Sequence, residues 1–146
     1  MRNKMEINLA SQYQVKHMIE EENLIGVMNN TRWNALFNGL SNIDEMIKFR
    51  VTYIDGSYWP DDESNREYTV EIEQIWGNFI ATEYLDIITK IEKLKGALIK
   101  PEIIDVTQQV IKLCIANKAN ISLIESGVRV WGYYRHGEIP ELYEIA

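Results

Sequence analysis

Residues 33–54 read WNALFNGLSNIDEMIKFRVTYI, and along them the spacing of the apolar side chains changes from helical to strand-like. The first half carries apolar residues at positions i, i+3, i+4 and i+7, which together form one helix face: Trp33, Leu36, Phe37 and Leu40. In the second half Phe49, Val51 and Tyr53 alternate with polar residues, so every second side chain faces one side of a strand. The stretch therefore predicts a helix that is followed by a half-buried strand.

Another helix is predicted upstream of this stretch. Ser11 and Gln14 have the spacing of a capping box, in which each side chain satisfies a free backbone amide at a helix start. We therefore expect a helix over residues 11–27, and the pair Asn29-Asn30 that follows it is typical of a break. Residues 1–28 are expected to form an N-terminal helical extension.

Strand signals continue downstream. From Tyr68 to Trp76 the alternation of apolar and polar residues is regular, and it places Glu71 and Glu73 side by side on the solvent face. Residues 79–95 are ambiguous, because short apolar runs fit both a strand and a helix. We expect a strand over residues 80–88, followed by an irregular lysine-rich segment.

The last third of the chain predicts a helix and a hairpin. The helix follows Pro101 and begins with the capping pair Asp105 and Gln108. Residues 121–125 and 128–134 then flank a two-residue turn. One face of the last strand is rich in arginine and aromatic residues: Arg129, Trp131, Tyr133 and Arg135. This mixed face either binds an anionic or planar ligand or lies beneath the helices.

Helices and strands are partly segregated along the chain, which predicts an α+β fold of two layers, with a mostly antiparallel sheet covered by helices on one face. The chain of 146 residues has no internal repeat or linker, so residues 1–146 are expected to form a single domain. The predicted core consists of ten side chains: Trp33, Leu36, Phe37, Val51, Val70, Ile72, Val110, Leu113, Val130 and Trp131.

The net charge of −7 is concentrated in one segment. Residues 58–86 contain eight acidic residues and a single base, Arg66, whereas acids and bases balance in the rest of the chain. Nucleic-acid binding needs clustered lysines and arginines, so we expect no nucleic-acid partner. No apolar run approaches the ~18–20 residues that cross a bilayer, so we also expect no membrane partner. The single cysteine, Cys114, suits a reducing compartment, and the cytoplasm is the expected location.

Signatures of catalysis and metal binding are weak. The chain contains no nucleophile elbow and no phosphate-binding glycine loop. Cys114 falls on the apolar side of a predicted helix, so we expect a buried thiol. His17, Glu20 and Glu21 have a spacing that can chelate a metal, but the same pattern is common on solvated helices. We expect no catalytic residue, no metal site and no cofactor.

Three motifs carry a family resemblance. They are Asn30-x-x-Trp33-Asn34-x-Leu36, Lys95-Gly96-x-Leu98-Ile99-x-Pro101-Glu102-Ile103-Ile104-Asp105 and Val130-Trp131-Gly132-Tyr133-x-Arg135. Over about residues 29–136 the chain resembles a family of small bacterial proteins of unknown function. The resemblance implies a bacterial cytosolic domain and favours a strand over residues 80–88, but it transfers no functional site.

The acidic segment leads to a hypothesis about function. Acidic groups accelerate the encounter with a basic partner, and an adjacent aromatic residue supplies affinity once it is desolvated. We therefore expect a protein-binding domain for a basic protein, for example an immunity-type protein that covers the nucleic-acid site of a toxin nuclease. The expected partner-binding residues are Tyr58, Trp59, Asp61, Asp62, Glu63, Glu71 and Glu73.

Two alternatives stay open. The protein is a small-molecule-binding protein or a hydrolase, in which surface carboxylates act together with an arginine such as Arg129 that holds an anion. Or the acidic stretch is an ordinary solvated loop, and Trp59 folds back onto the domain.

Overall fold

The computed structural model of the protein describes residues 9–45, 47–59, 67–68 and 79–144. The helices are α1 (Leu9–Glu21), α2 (Asn30–Ser41) and α3 (Thr107–Ala116), and a 3-10 turn spans Phe79–Ala81. The strands are β1 (Ile25–Gly26), β2 (Lys48–Tyr53), β3 (Tyr58–Trp59), β4 (Glu67–Tyr68), β5 (Thr82–Ile88), β6 (Lys90–Lys93), β7 (Glu102–Asp105), β8 (Ile121–Ile124), β9 (Gly127–Trp131) and β10 (Tyr133–Tyr134). The α+β prediction is confirmed.

The main sheet is antiparallel, with the strand order β3-β2-β5-β9-β8, and β4 also pairs with β2. Two smaller sheets of two strands each are formed by β1 with β10 and by β6 with β7. The strand predicted over residues 80–88 is therefore confirmed as β5 from Thr82 onward, and the predicted hairpin is confirmed as β8 and β9, with Glu125 and Ser126 in its turn.

The core lies between one face of the main sheet and the helices α2 and α3. Alternate residues of β2, β5 and β9 are fully buried on this face: Phe49, Val51, Leu85, Ile87, Val128 and Val130. The ring of Phe37 from α2 packs edge-on against the ring of Phe49, with the ring centroids 6.1 Å apart. It also stacks on the ring of Phe79, where the centroids are 5.5 Å apart. Since each such side chain contributes about 1.5–3 kcal/mol when it leaves water, this face holds the two layers together.

The helix α2 follows its sequence signals closely. The Asn29 side chain accepts a hydrogen bond from the Arg32 amide at 2.9 Å and caps the helix start. All four apolar residues of the predicted face are buried, as expected. At Gly39 an added Cβ would lie 2.7 Å from Leu113 Cδ2, so the absence of a side chain brings α2 close to α3.

The helix α1 ends at Glu21, so the predicted end at residue 27 is wrong. Asn23 adopts the left-handed conformation with φ 53°, its amide bonds to the Glu20 carbonyl, and the Leu24 amide reaches back to the Ile19 carbonyl. This pattern is a Schellman motif, which terminates a helix, and it leaves the chain free to pair with β10. Ser11 lies within the helix and not at its start.

Residues 90–105 also differ from expectation. The segment predicted as irregular forms a two-stranded ribbon, β6 with β7, and the helix that was predicted after Pro101 begins at Thr107. The Asp105 carboxylate accepts hydrogen bonds from the amide and the hydroxyl of Thr107, the nearer at 2.5 Å, in place of a capping pair with Gln108. The predicted helix is therefore confirmed as α3, with its start at Thr107.

The predicted core is confirmed in most of its described members. Trp33, Leu36, Phe37, Val51, Val110 and Val130 are buried. Leu113 is only half-buried, and Trp131 is half-buried on the opposite face of the sheet, so its assignment to the core is wrong. Val70 and Ile72 lie outside the described residues. None of the described helices is long and apolar enough to cross a membrane.

The close approach of β9 and β5 yields a stability prediction. A Cβ added at Gly132 would lie 2.2 Å from the Thr82 carbonyl oxygen, which is backbone and cannot rotate away. We expect Gly132→Ala to lower the free energy of unfolding by about 1–3 kcal/mol, because overpacking forces the strands apart. Chemical denaturation measures the change.

The matched control is Gly26→Ala, whose added Cβ would make only ordinary contact with the Tyr133 ring at 3.6 Å. Equal stabilities for Gly132→Ala and Gly26→Ala would contradict this account of the strand contact.

Candidate interaction surface

Two rows of side chains cross the face of the main sheet that is turned away from α2 and α3. Strand register places Tyr58, Thr52, Tyr84 and Trp131 in one row. It places Arg50, Asp86, Arg129 and Ser122 in the adjacent row. We call these eight residues the aromatic face. The face results directly from strand geometry, because residues that alternate with the buried ones must point to the other side.

The rings and guanidinium groups of the aromatic face stack on one another. The Arg129 guanidinium carbon lies 4.0 Å from the centroid of Tyr84 and 5.7 Å from that of Trp131, and the two rings are 5.2 Å apart. Trp131 Nε1 donates a hydrogen bond to Ser122 Oγ at 2.9 Å. At the other end of the aromatic face, the Arg50 guanidinium carbon lies 3.9 Å from the centroid of the Tyr58 ring. These contacts hold the side chains of the aromatic face in place.

Arg129 is engaged by a carboxylate of the same face. Its Nε and Nη2 donate to the two oxygens of Asp86 at 2.7 and 3.0 Å. Hydrogen bonding to Asp86 raises the pKa of the guanidinium, while partial burial opposes the shift. Since a bidentate pair neutralises both charges, the geometry gives no support to the hypothesis that Arg129 holds a substrate anion.

The predicted partner-binding residues are only partly described. Tyr58 belongs to the aromatic face and is 44% exposed. Trp59 points to the opposite face, where it packs against the core and its ring centroid lies 6.0 Å from that of Phe49. Trp59 therefore folds back onto the domain, since consecutive strand residues face opposite sides. The acidic members of the set, Asp61, Asp62, Glu63, Glu71 and Glu73, lie outside the described residues.

Sequence reasoning missed Tyr84, and it missed that strand pairing brings the residues of the aromatic face together in two rows. It did single out the mixed strand face, but only Arg129 and Trp131 lie on the aromatic face. After Gly132 the chain leaves the main sheet and pairs with β1, so Tyr133 instead donates a hydrogen bond to the Ile80 carbonyl at 2.7 Å. The alternation of residues along a strand predicts faces correctly only while the strand continues.

Arg135 forms a separate polar cluster that joins three parts of the chain. It donates two hydrogen bonds to Glu83, at 2.7 and 3.0 Å, one to Glu22 at 2.7 Å and one to the Ile54 carbonyl at 2.8 Å. These carboxylate hydrogen bonds raise the pKa of Arg135. Glu83 is buried at a β-bulge, because the pairing with β2 skips from Tyr84 to Thr82. Arg135 therefore neutralises a carboxylate that the bulge turns inward.

The remaining candidates for chemistry have structural explanations. Cys114 is buried, and burial raises the pKa of its thiol to about 12. His17 pairs with Glu21 at 3.0 Å on the exposed side of α1. Among the described residues no group of three or more His, Cys, Asp and Glu side chains could hold a metal ion.

Comparison with known proteins places the chain in a family. A model of the family described as a family of unknown function (DUF6678) matches residues 15–137. The chain belongs to DUF6678. The match includes α1 from Val15 onward, so it extends N-terminal to the segment of residues 29–136 that carries the resemblance. No curated protein and no solved structure gives a significant match.

The Arg135 cluster yields a second stability prediction. Arg135→Met leaves the buried Glu83 carboxylate without its bidentate partner, so we expect the free energy of unfolding to fall by about 2 kcal/mol or more. The control, Lys95→Met, breaks an exposed pair with Glu102 and should cost less than about 1 kcal/mol. Urea denaturation of both variants provides the measurement, and equal losses would refute the role assigned to Arg135.

The buried thiol yields a prediction about reactivity. With a pKa of about 12, Cys114 is almost entirely protonated at neutral and mildly alkaline pH, and burial also blocks access to it. We expect no measurable reaction with a thiol-specific disulfide reagent in the folded protein, and one equivalent of reaction after unfolding. Rapid stoichiometric labelling of the native protein would show that Cys114 is accessible.

Proposed function

We propose that the protein acts by binding another protein, a basic one, through the aromatic face and the acidic segment that begins at Tyr58. The observation that carries the proposal is the aromatic face itself. It joins three large aromatic side chains and two arginines on an antiparallel sheet: Tyr58, Tyr84, Trp131, Arg50 and Arg129. Trp, Tyr and Arg are the residues most enriched at the centres of protein interfaces.

The internal contacts of the face favour affinity. Binding costs free energy for each flexible side chain that it immobilises, about 0.5–1.5 kcal/mol. Trp131 is already held by Ser122, and Arg129 by Asp86. Less conformational entropy is therefore lost when a partner covers these residues.

The acidic segment supplies charge complementarity. Residues 58–86 contain the whole net charge of −7, and Tyr58 lies on the aromatic face where this segment begins. Long-range attraction by Asp61, Asp62, Glu63, Glu71 and Glu73 would speed the encounter with a basic protein. A nucleic-acid-binding protein in the cytoplasm, such as a toxin nuclease, has the required charge, and the chain would then act as an immunity-type protein.

The test begins with the capture of partners from the native host, followed by affinity measurement with the purified partner. We expect Trp131→Ala and Tyr58→Ala each to weaken binding about tenfold or more, because each removes a ring from the contact. The matched control is Tyr13→Ala, which removes an exposed ring from α1. Circular dichroism shows whether each variant is folded.

The charge component is tested separately. Changing Asp61, Asp62 and Glu63 to Ser should slow association and reduce its dependence on salt, with little effect on dissociation. The proposal fails if no basic protein is captured, or if the partner binds the Tyr58 and Trp131 variants as tightly as it binds the unchanged protein.

A further inference from the structure

Residues 139–144 follow the outer edge of β8, the last strand of the main sheet, without forming a helix or a strand. We call these six residues the C-terminal segment. Two hydrogen bonds join it to β8. The Tyr143 amide donates to the Ile121 carbonyl at 2.7 Å, and Ser122 Oγ donates to the Glu141 carbonyl at 2.5 Å. Since Ser122 belongs to the aromatic face, the segment is attached at the border of that face.

The attachment is loose. Ile139, Glu141 and Glu144 are exposed, and the half-buried Tyr143 is the anchor that packs against the core. Two clefts lie between the segment and the body, one of about 580 Å³ that reaches the end of α3 and one of about 230 Å³ beside Leu123. Unfilled space removes dispersion contacts, and regions with few buried contacts open at the lowest cost in free energy. We therefore expect the segment to detach while the rest of the chain stays folded.

The Ser122 hydroxyl connects the segment to the indole of Trp131. Its oxygen accepts a hydrogen bond from Trp131 Nε1 at 2.9 Å, while its one proton goes to the Glu141 carbonyl. A serine hydroxyl rotates freely unless its proton has a fixed acceptor. Because Glu141 fixes the proton, the lone pairs of Ser122 Oγ are directed at the indole N–H, and a hydroxyl that already donates is the stronger acceptor.

The other contacts of Trp131 are contacts of its ring. Its ring centroid lies 5.2 Å from that of Tyr84 and 6.1 Å from that of Tyr134, and the planes are inclined by 58° and 72°. The Arg129 guanidinium carbon lies 5.7 Å from the same ring. Ring contacts of this kind tolerate a range of angles, whereas an N–H···O hydrogen bond is directional. The bond to Ser122 therefore decides how the indole is oriented.

We infer that the C-terminal segment regulates the aromatic face through Ser122. With the segment attached, Ser122 holds the Trp131 indole in one orientation. With the segment released, the hydroxyl turns to water and the indole is free to reorient. The inference rests on the proposed function, in which Trp131 contacts the partner. A partner that binds the fixed indole prefers the attached state, so by linkage the bound partner keeps the segment attached.

The test follows the Trp131 indole N–H by nuclear magnetic resonance in the purified protein. The chain has four tryptophans, and Trp131→Phe identifies the resonance by its loss. We expect truncation after Ile139 to shift this resonance upfield. Truncation should also speed the exchange of its proton with water by about 2- to 10-fold, the range for one hydrogen bond. Ser122→Ala should have the same effect, and Ser122→Thr, which keeps a hydroxyl, should restore the resonance.

A double-mutant cycle tests whether the segment acts through Ser122. Truncation in the Ser122→Ala background should change the Trp131 exchange rate no further, because both changes remove the same interaction. The matched control is Ser126→Ala, which makes the same substitution in the turn of the same hairpin and should leave the resonance unchanged. Tyr143→Pro removes the anchoring ring and amide without shortening the chain, so it should reproduce the truncation. Circular dichroism verifies that each variant is folded.

These measurements need no partner, so their failure differs from failure of the proposed function. An unchanged Trp131 resonance in the truncated protein and in Tyr143→Pro overturns the inference. An equal response to truncation with and without the Ser122 hydroxyl also overturns it. With the purified partner, truncation should weaken binding by about 2- to 10-fold, the cost of ordering one side chain, and an unchanged affinity contradicts regulation by the segment. If no partner is captured, the proposed function fails, while the indole resonance still decides whether the segment is coupled to Trp131.

Discussion

The pairing of β5 with β2 on one side and β9 on the other is the constraint on which the rest of the structure depends. It fixes two sets of side chains at once. Leu85 and Ile87 face the helices and complete the core, whereas Tyr84 and Asp86 face away and organise the aromatic face. A slip of one residue in this register would exchange the two sets and bury a carboxylate, so the hydrophobic core and the candidate interaction surface are specified together.

The β-bulge at Glu83 and the glycine opposite it limit the extent of the aromatic face. Gly132 approaches β5 so closely that its amide donates to the Glu83 carbonyl at 2.7 Å, and the chain then turns away to pair with β1. The bulge directs the Glu83 side chain to Arg135, which also binds the end of α1 through Glu22. The irregularity in the central strand therefore connects the N-terminal helix to the sheet.

Local signals predicted those elements whose structure is decided within a few residues. The helix α2 needed only a capping asparagine and a regular apolar face, and the hairpin of β8 and β9 needed only a short turn between alternating strands. The predictions failed where distant contacts competed with local propensity. The ribbon formed because residues 90–93 found a pairing partner in residues 102–105, which no local pattern in either segment predicts.

The sequence by itself determined the α+β class, the apolar residues of α2 and β2, the acidic segment of residues 58–86 and the family motifs. These depend on composition and on periodicity along the chain. Only the tertiary structure decided that Trp59 packs inward while Trp131 lies on the aromatic face, that Arg129 is occupied by Asp86, and that Leu98 lies fully exposed on a ribbon. Each of these outcomes depends on which strands become neighbours, and strand pairing joins residues far apart in sequence, beyond the reach of any local pattern.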